Sequence, residues 1–153
     1  MFSLRRYVVT LVLPYTCSQY IASIYIMCAC EQIQRTSGLW YSAEYSTFSI
    51  SDEASKYRLT VDGYSGDAVN AMMITVPGHN YASNGKMFST PDSDNDEWGD
   101  SCAVSTSCGW WFAFCSISAL NVVNEDYGGY GIWTTDYPPV WDVQASRMLV
   151  KLN

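Results

Sequence analysis

The sequence predicts a single domain of short strands joined by long, partly irregular loops, and three observations point there. A chain of 153 residues that is 48% hydrophobic and 15% aromatic can bury a core and is too apolar to remain disordered. Twelve Tyr, six Trp and ten Gly with little charge suit gaps between strands filled by aromatic bodies, and argue against a helical bundle. From Trp40 onward, short β-branched and aromatic runs alternate with turn signals.

Residues 1–30 open on Arg5-Arg6, continue through the apolar run 7–13 and end in Ile-Met-Cys-Ala-Cys. A basic start, an apolar middle and small residues at the end resemble a secretory signal peptide cleaved after Cys30. The alternative is a non-homologous N-terminal segment, because Pro14, Thr16, Ser18 and Gln19 interrupt the apolar run. The same interruption argues against a membrane span, which needs about 20 mostly apolar residues. Residues 45–50 and 57–61 read as strands joined by a polar connection over 51–56, and Gly63 to Gly66 reads as a turn. A third apolar run covers 71–76 and is closed by Pro77-Gly78. Residues 147–152 form a last strand, with Met148, Val150 and Leu152 on one face. The stretch 77–146 has little periodicity, and a segment of that length is usually functional or held by cross-links and metal.

The charge is confined. Fifteen acids against eight bases give a net charge of -7, and Asp92, Asp94, Asp96, Glu97 and Asp100 fall close together. With no cluster of bases beyond Arg5-Arg6, nucleic acid is excluded as a partner, since a phosphate backbone needs grouped Lys and Arg. Carboxylates at alternate positions 92, 94 and 96 let oxygens converge when the backbone curls, which suits Ca²⁺ with its about six to eight oxygen ligands. The loop is not an EF-hand, because Glu97 and Ala103 stand where that motif wants Gly and Glu. A solvated acidic turn is the plainer alternative.

Six Cys fit an oxidising compartment, and Cys102, Cys108 and Cys115 lie in the globular part. A bond between Cys102 and Cys115 would close a loop around Gly109-Trp110-Trp111-Phe112 worth about 3 kcal/mol by chain entropy, leaving Cys108 as the odd thiol. Zinc would need closer ligand spacing than six and seven residues. An enzyme would need a poised nucleophile or acid/base pair; the single histidine, His79, sits in a Pro-Gly-His-Asn turn and no serine lies in G-x-S-x-G. The chain is therefore expected to be no enzyme.

Phe88-Ser-Thr-Pro-Asp92-Ser-Asp94-Asn-Asp96, Cys102-Ala, Gly109-Trp-Trp, Cys115 and Ala119-Leu-Asn121, in that order, resemble the C-terminal half of a fibrinogen C-terminal domain. The match runs from Trp40 to about Lys151, so the domain is expected over 40–152 and truncated at its N-terminus. The resemblance implies an α+β fold of short antiparallel strands with a long irregular loop region braced by calcium and a disulfide. It places Ca²⁺ on the carboxylates of Asp94 and Asp96 and the carbonyls of Trp98 and Asp100. It also implies a Cys102–Cys115 disulfide and a cis peptide between Phe114 and Cys115. In lectin-like members an adjoining pocket receives acetyl groups of sugars, and its counterparts here are Phe114, Cys115, Ser116, Tyr127 and Tyr130. The expected function is that of a secreted, calcium-stabilised, lectin-like recognition protein for acetylated glycans in innate immunity. The alternative is a protein–protein interaction module in signalling, adhesion or clotting, with an extracellular protein as partner. A homo-oligomer is compatible with either.

Overall fold

The computed structural model describes residues 25–76, 79–124, 129–134 and 143–152. A four-stranded antiparallel sheet carries the fold: β1 (Tyr25–Arg35), β2 (Trp40–Ile50), β3 (Leu59–Gly66) and β8 (Val143–Leu152), ordered β3-β2-β1-β8. Beside it lie two ribbons. One pairs β4 (Thr75–Val76) with β5 (His79–Asn80), and the other pairs β6 (Ser118–Asn124) with β7 (Gly129–Trp133). Helix among the described residues is limited to α1 (Cys102–Thr106) and a 3-10 turn, Glu53–Ser55, so strands dominate what was expected to be an α+β fold.

Residues 25–35 form an interior strand hydrogen-bonded to β2 on one edge and β8 on the other, so a domain start at Trp40 omits one of the two interior strands and a cut after Cys30 falls inside β1. The residues of β1 do not carry a strand's usual pattern. Ala29, Glu31 and Ile33 point into the core while Cys30, Gln32 and Gln34 are half-buried, and an inward glutamate breaks the apolar/polar alternation that marks a strand. Residues 1–24 and the Pro77-Gly78 closure lie outside the described residues.

Gly63 to Gly66 likewise belongs to β3 rather than to a turn. Buried positions on β2 run Ala43, Tyr45, then Phe48, Ile50, and on β3 Leu59 and Val61 are buried opposite Ile50 and Phe48. The buried side of the strand thus changes phase between Tyr45 and Phe48, where Gly63, at φ 66°, sits so close to Ser46 that a Cβ would lie 1.9 Å from its Oγ. Gly66 then ends the strand at φ 128°, its missing Cβ leaving room for the Ser42 carbonyl. That carbonyl accepts the amides of Asp67 and Ala68 at 3.0 and 2.9 Å, while the Asp67 carboxylate takes the Ser42 amide at 2.6 Å. The chain is thereby turned across the sheet, where the Tyr45 hydroxyl bonds Asn70 at 3.0 Å and Ala71 and Met72 are buried.

At the other end an aromatic cluster fills the space between sheet and loops. The Trp111 ring meets Phe88, Trp110 and Phe48 edge to face, with centroids 5.0, 5.4 and 6.2 Å apart, and its indole N–H donates to the Tyr57 carbonyl at 2.8 Å. The long stretch 77–146 is therefore only partly irregular: it holds α1, β6 and β7 and packs its tryptophans into the common core.

Candidate functional site: an acidic loop tied to a strained turn

The acidic loop is folded by its own short side chains. Ser89 and Trp110 exchange backbone hydrogen bonds of 2.9 and 3.1 Å, anchoring the loop entry to the aromatic cluster. Asn95 faces inward, its amide donating to the Phe88 carbonyl at 2.9 Å and its backbone N–H to Ser89 Oγ at 3.0 Å. Asp94 Oδ1 accepts the Asp96 amide at 3.2 Å, and Asp96 accepts the Trp98 amide on Oδ1 and the Cys102 amide on Oδ2, both at 2.9 Å. Asp96 is therefore the pivot that links the loop to α1. Ser101 caps that helix, accepting from the Val104 amide at 3.3 Å.

The two ends of the next segment are joined covalently. Cys102 and Cys115 form a disulfide with Cα atoms 4.9 Å apart, and the Glu97 amide donates to the Ala113 carbonyl at 3.0 Å, so the acidic loop and residues 113–115 are held from both sides. Backbone strain collects there: Cys115 and Ser116 are consecutive non-glycine residues at φ 51° and 39°. Such conformations cost about 1–3 kcal/mol each and persist only where surrounding bonds over-determine them.

Beneath the turn lies a buried serine cluster. Ser83, Ser116 and Ser118 bring their hydroxyls within 3.1 to 3.4 Å of one another. The Trp110 indole N–H donates to Ser83 at 3.0 Å and the Ser116 hydroxyl donates to the Tyr81 carbonyl at 3.2 Å. No spacing in the sequence announces this cluster, because Ser83 reaches it from 33 residues away. Phe114, by contrast, is exposed, as are Trp98 and Val104 around the same disulfide.

Of the residues expected at the metal, Asp94 and Asp96 come together, Trp98 is drawn in through its amide, and Asp100 is exposed on the same loop. Among the described residues no group of three or more His, Cys, Asp or Glu converges, so the carboxylates brought together here are those of Asp94 and Asp96. Burial pushes the Asp96 carboxyl above its ordinary value, and the neighbouring Asp94 charge adds to this. Carboxylates keep spare lone pairs after accepting amides, so this crowded acid pair fits a hard, oxygen-seeking cation. Of the residues expected at the pocket, Phe114, Cys115 and Ser116 form the strained turn, although Ser116 is buried as its floor. Tyr130 lies on β7 opposite Val123, and Tyr127 lies outside the described residues.

A family model for the C-terminal globular domain of fibrinogen beta and gamma chains matches residues 20–151. The chain belongs to this fibrinogen C-terminal family. The family match takes in β1, as the sheet does. Among relatives of this fibrinogen-like domain, angiopoietin-4 of Bos taurus is 33% identical over 126 residues, covering 78% of the chain and 24% of the relative. The human fibrinogen gamma chain is 34% identical over 127 residues, covering 76% and 28%. The chain thus spans about a quarter of the length of these relatives. Among solved structures, the fibrinogen-like globe domain of human ANGPTL6 aligns with a TM-score of 0.67 at 27% identity, covering 82% of this chain and 56% of that one. A lamprey fibrin D-dimer complexed with the peptide Gly-His-Arg-Pro-amide aligns with a TM-score of 0.71 at 27% identity, covering 81% and 45%.

Proposed function

We propose that this fibrinogen-like domain is a non-enzymatic, extracellular protein-recognition module whose binding turn, residues 114–116, is braced by a disulfide and by calcium. The observation that carries this reading is the alignment with lamprey fibrin holding a peptide ligand. Similarity to angiopoietin-4 and the fibrinogen gamma chain points the same way. The protein-interaction alternative is therefore preferred over recognition of acetylated glycans. The buried state of Ser116 agrees, because its hydroxyl already serves Tyr81, Ser83 and Ser118. An extracellular setting accords with the disulfide. Among the described residues no helix is long and apolar enough to cross a membrane. A net charge of -7 speaks against a nucleic-acid partner.

In this reading Asp94 and Asp96 hold Ca²⁺ through their carboxylates, with the carbonyls of Trp98 and Asp100 completing the protein's share. The cation would neutralise the acid pair. Asp96, through its bond to the Cys102 amide, then carries that order to the disulfide and so to Cys115.

The competing partners separate in a titration followed by amide NMR. Gly-His-Arg-Pro-amide is expected to shift resonances of residues 113–118, whereas N-acetylglucosamine leaves them in place at the same concentrations. Saturable shifts with the sugar and none with the peptide would contradict the proposal.

A further inference from the structure

We propose that Glu31 is a proton-operated stability switch at the centre of the four-stranded sheet: protonated, it lets β1 pack fully between β2 and β8, and ionised, it slackens that packing. Glu31 sits on the core face of β1, opposite Ala43 on one side and Met148 on the other. Its exposure is 0%, and neither carboxyl oxygen has a hydrogen-bond partner among the described residues. A carboxylate stripped of water, with only its own backbone amide near enough to favour the charge, is among the costliest groups a core can hold, so the neutral acid is the form this site accepts.

Among the described residues, the groups that face it from the neighbouring strands are neutral. From β2, Tyr41 and Tyr45 flank Ala43 on the same face; from β8, Met148 and Ser146 stand in register with Glu31 and Ile33. The segment crossing above contributes Asn70, bonded to Tyr45, while Asp67 at its start is held by the Ser42 amide. Tyr64, opposite Tyr45 on β3, donates its hydroxyl to the Ala68 carbonyl. Among the described side chains, two cations border this part of the sheet. Arg35 donates to the Trp133 carbonyl at 3.3 Å, and Arg147 bonds Gln32 and stacks 4.9 Å over the Trp40 ring. Burial pushes the Glu31 carboxyl from an ordinary 4.5 up to about 8. Burial also pushes the Tyr45 phenol up, and a charge on Glu31 adds to that.

Below the unfolded value of 4.5, Glu31 is protonated in both states and contributes no pH dependence. Between 4.5 and about 8 the folded protein holds a proton that the unfolded chain releases, so stability falls as pH rises, and above about 8 the full penalty is present. This is opposite to the contribution of a salt-bridged carboxylate.

The test is the thermal midpoint of the wild-type chain, Glu31→Gln and Glu31→Met, measured from about pH 5 to about pH 8.5. The wild type is expected to lose roughly 5–10 °C more than either variant across that range, and both variants to melt above it at the alkaline end. Two variants of different polarity are used so that a failure of one to fold leaves the comparison intact. Proton release on unfolding the wild type at about pH 6.5, measured in buffers of different ionisation enthalpy, provides a reading that needs no variant. Equal pH slopes in wild type and variants, or no proton released on unfolding, would overturn the proposal.

Discussion

Trp133→Ala is expected to bring the domain to the edge of unfolding. Trp133 is fully buried on β7, opposite Ser118 of β6; its indole N–H donates to the Val69 carbonyl at 2.8 Å and its own carbonyl accepts from Arg35 at 3.3 Å. One side chain therefore ties the β6-β7 ribbon to the segment crossing the main sheet. Removing a buried tryptophan costs about 3–5 kcal/mol, and the orphaned Val69 carbonyl adds to this. Against a total stability of about 5–15 kcal/mol this is a large fraction, and a fall in melting temperature of about 10–15 °C is expected. Trp133→Phe keeps most of the volume and loses the N–H, so it should fall well short of that. Calorimetry on both variants checks the account; equal losses would mean that the hydrogen bond, not the filled volume, dominates.

Opening the Cys102–Cys115 bond should produce the second large effect. The bond spans 13 residues, including α1 and the Trp110-Trp111-Phe112 run, and closing a loop of that size is worth about 3 kcal/mol. A Cys102→Ala/Cys115→Ala double variant should melt about 6–12 °C below the wild type. It should also lose order selectively at the turn, because Cys115 and Ser116 rely on that bond to remain at positive φ. Amide hydrogen exchange is expected to rise first at residues 113–118 and least at Ala43 and Tyr45 in the sheet. A uniform rise would show that the bond stabilises the whole domain and not the turn. Cys108 does not confuse the experiment: it is buried, and burial pushes its thiol up to about 11, so at neutral pH it is a poor nucleophile.

What the sequence made legible was whatever is written locally. Residues 45–50 and 147–152 show their strands, and Asp92 to Asp96 and the cysteines at 102 and 115 are close enough in sequence to read together. The rest was hidden for identifiable reasons. β1 combines an apolar run with a buried acid, so its first half looks like a leader and its second half looks polar, although its partners lie up to 126 residues away on β8, as Ile26 opposite Leu152. Gly63 and Gly66 look like a turn because glycine supplies positive φ in both settings; here the sheet uses that freedom to change its buried side without leaving the strand. The serine cluster is assembled from residues 83, 116 and 118, and only the folded chain brings them together. The metal ligands read from the loop form a smaller carboxylate group than its charge suggests, for Asp92 is taken by Thr90 at 2.6 Å and Glu97 by Lys86.

The proposal that calcium in the acidic loop braces the recognition turn is tested most directly by melting the wild type, Asp94→Asn, Asp96→Asn and Asp92→Asn with Ca²⁺ and with a chelator. With Ca²⁺ at about 100 times its dissociation constant, the wild type should gain about 2.7 kcal/mol, a rise of roughly 5–10 °C. Asp92→Asn should keep the rise, and Asp94→Asn and Asp96→Asn should lose it. Identical wild-type melting with Ca²⁺ and with chelator, or an undiminished rise in both Asp94→Asn and Asp96→Asn, would contradict the account.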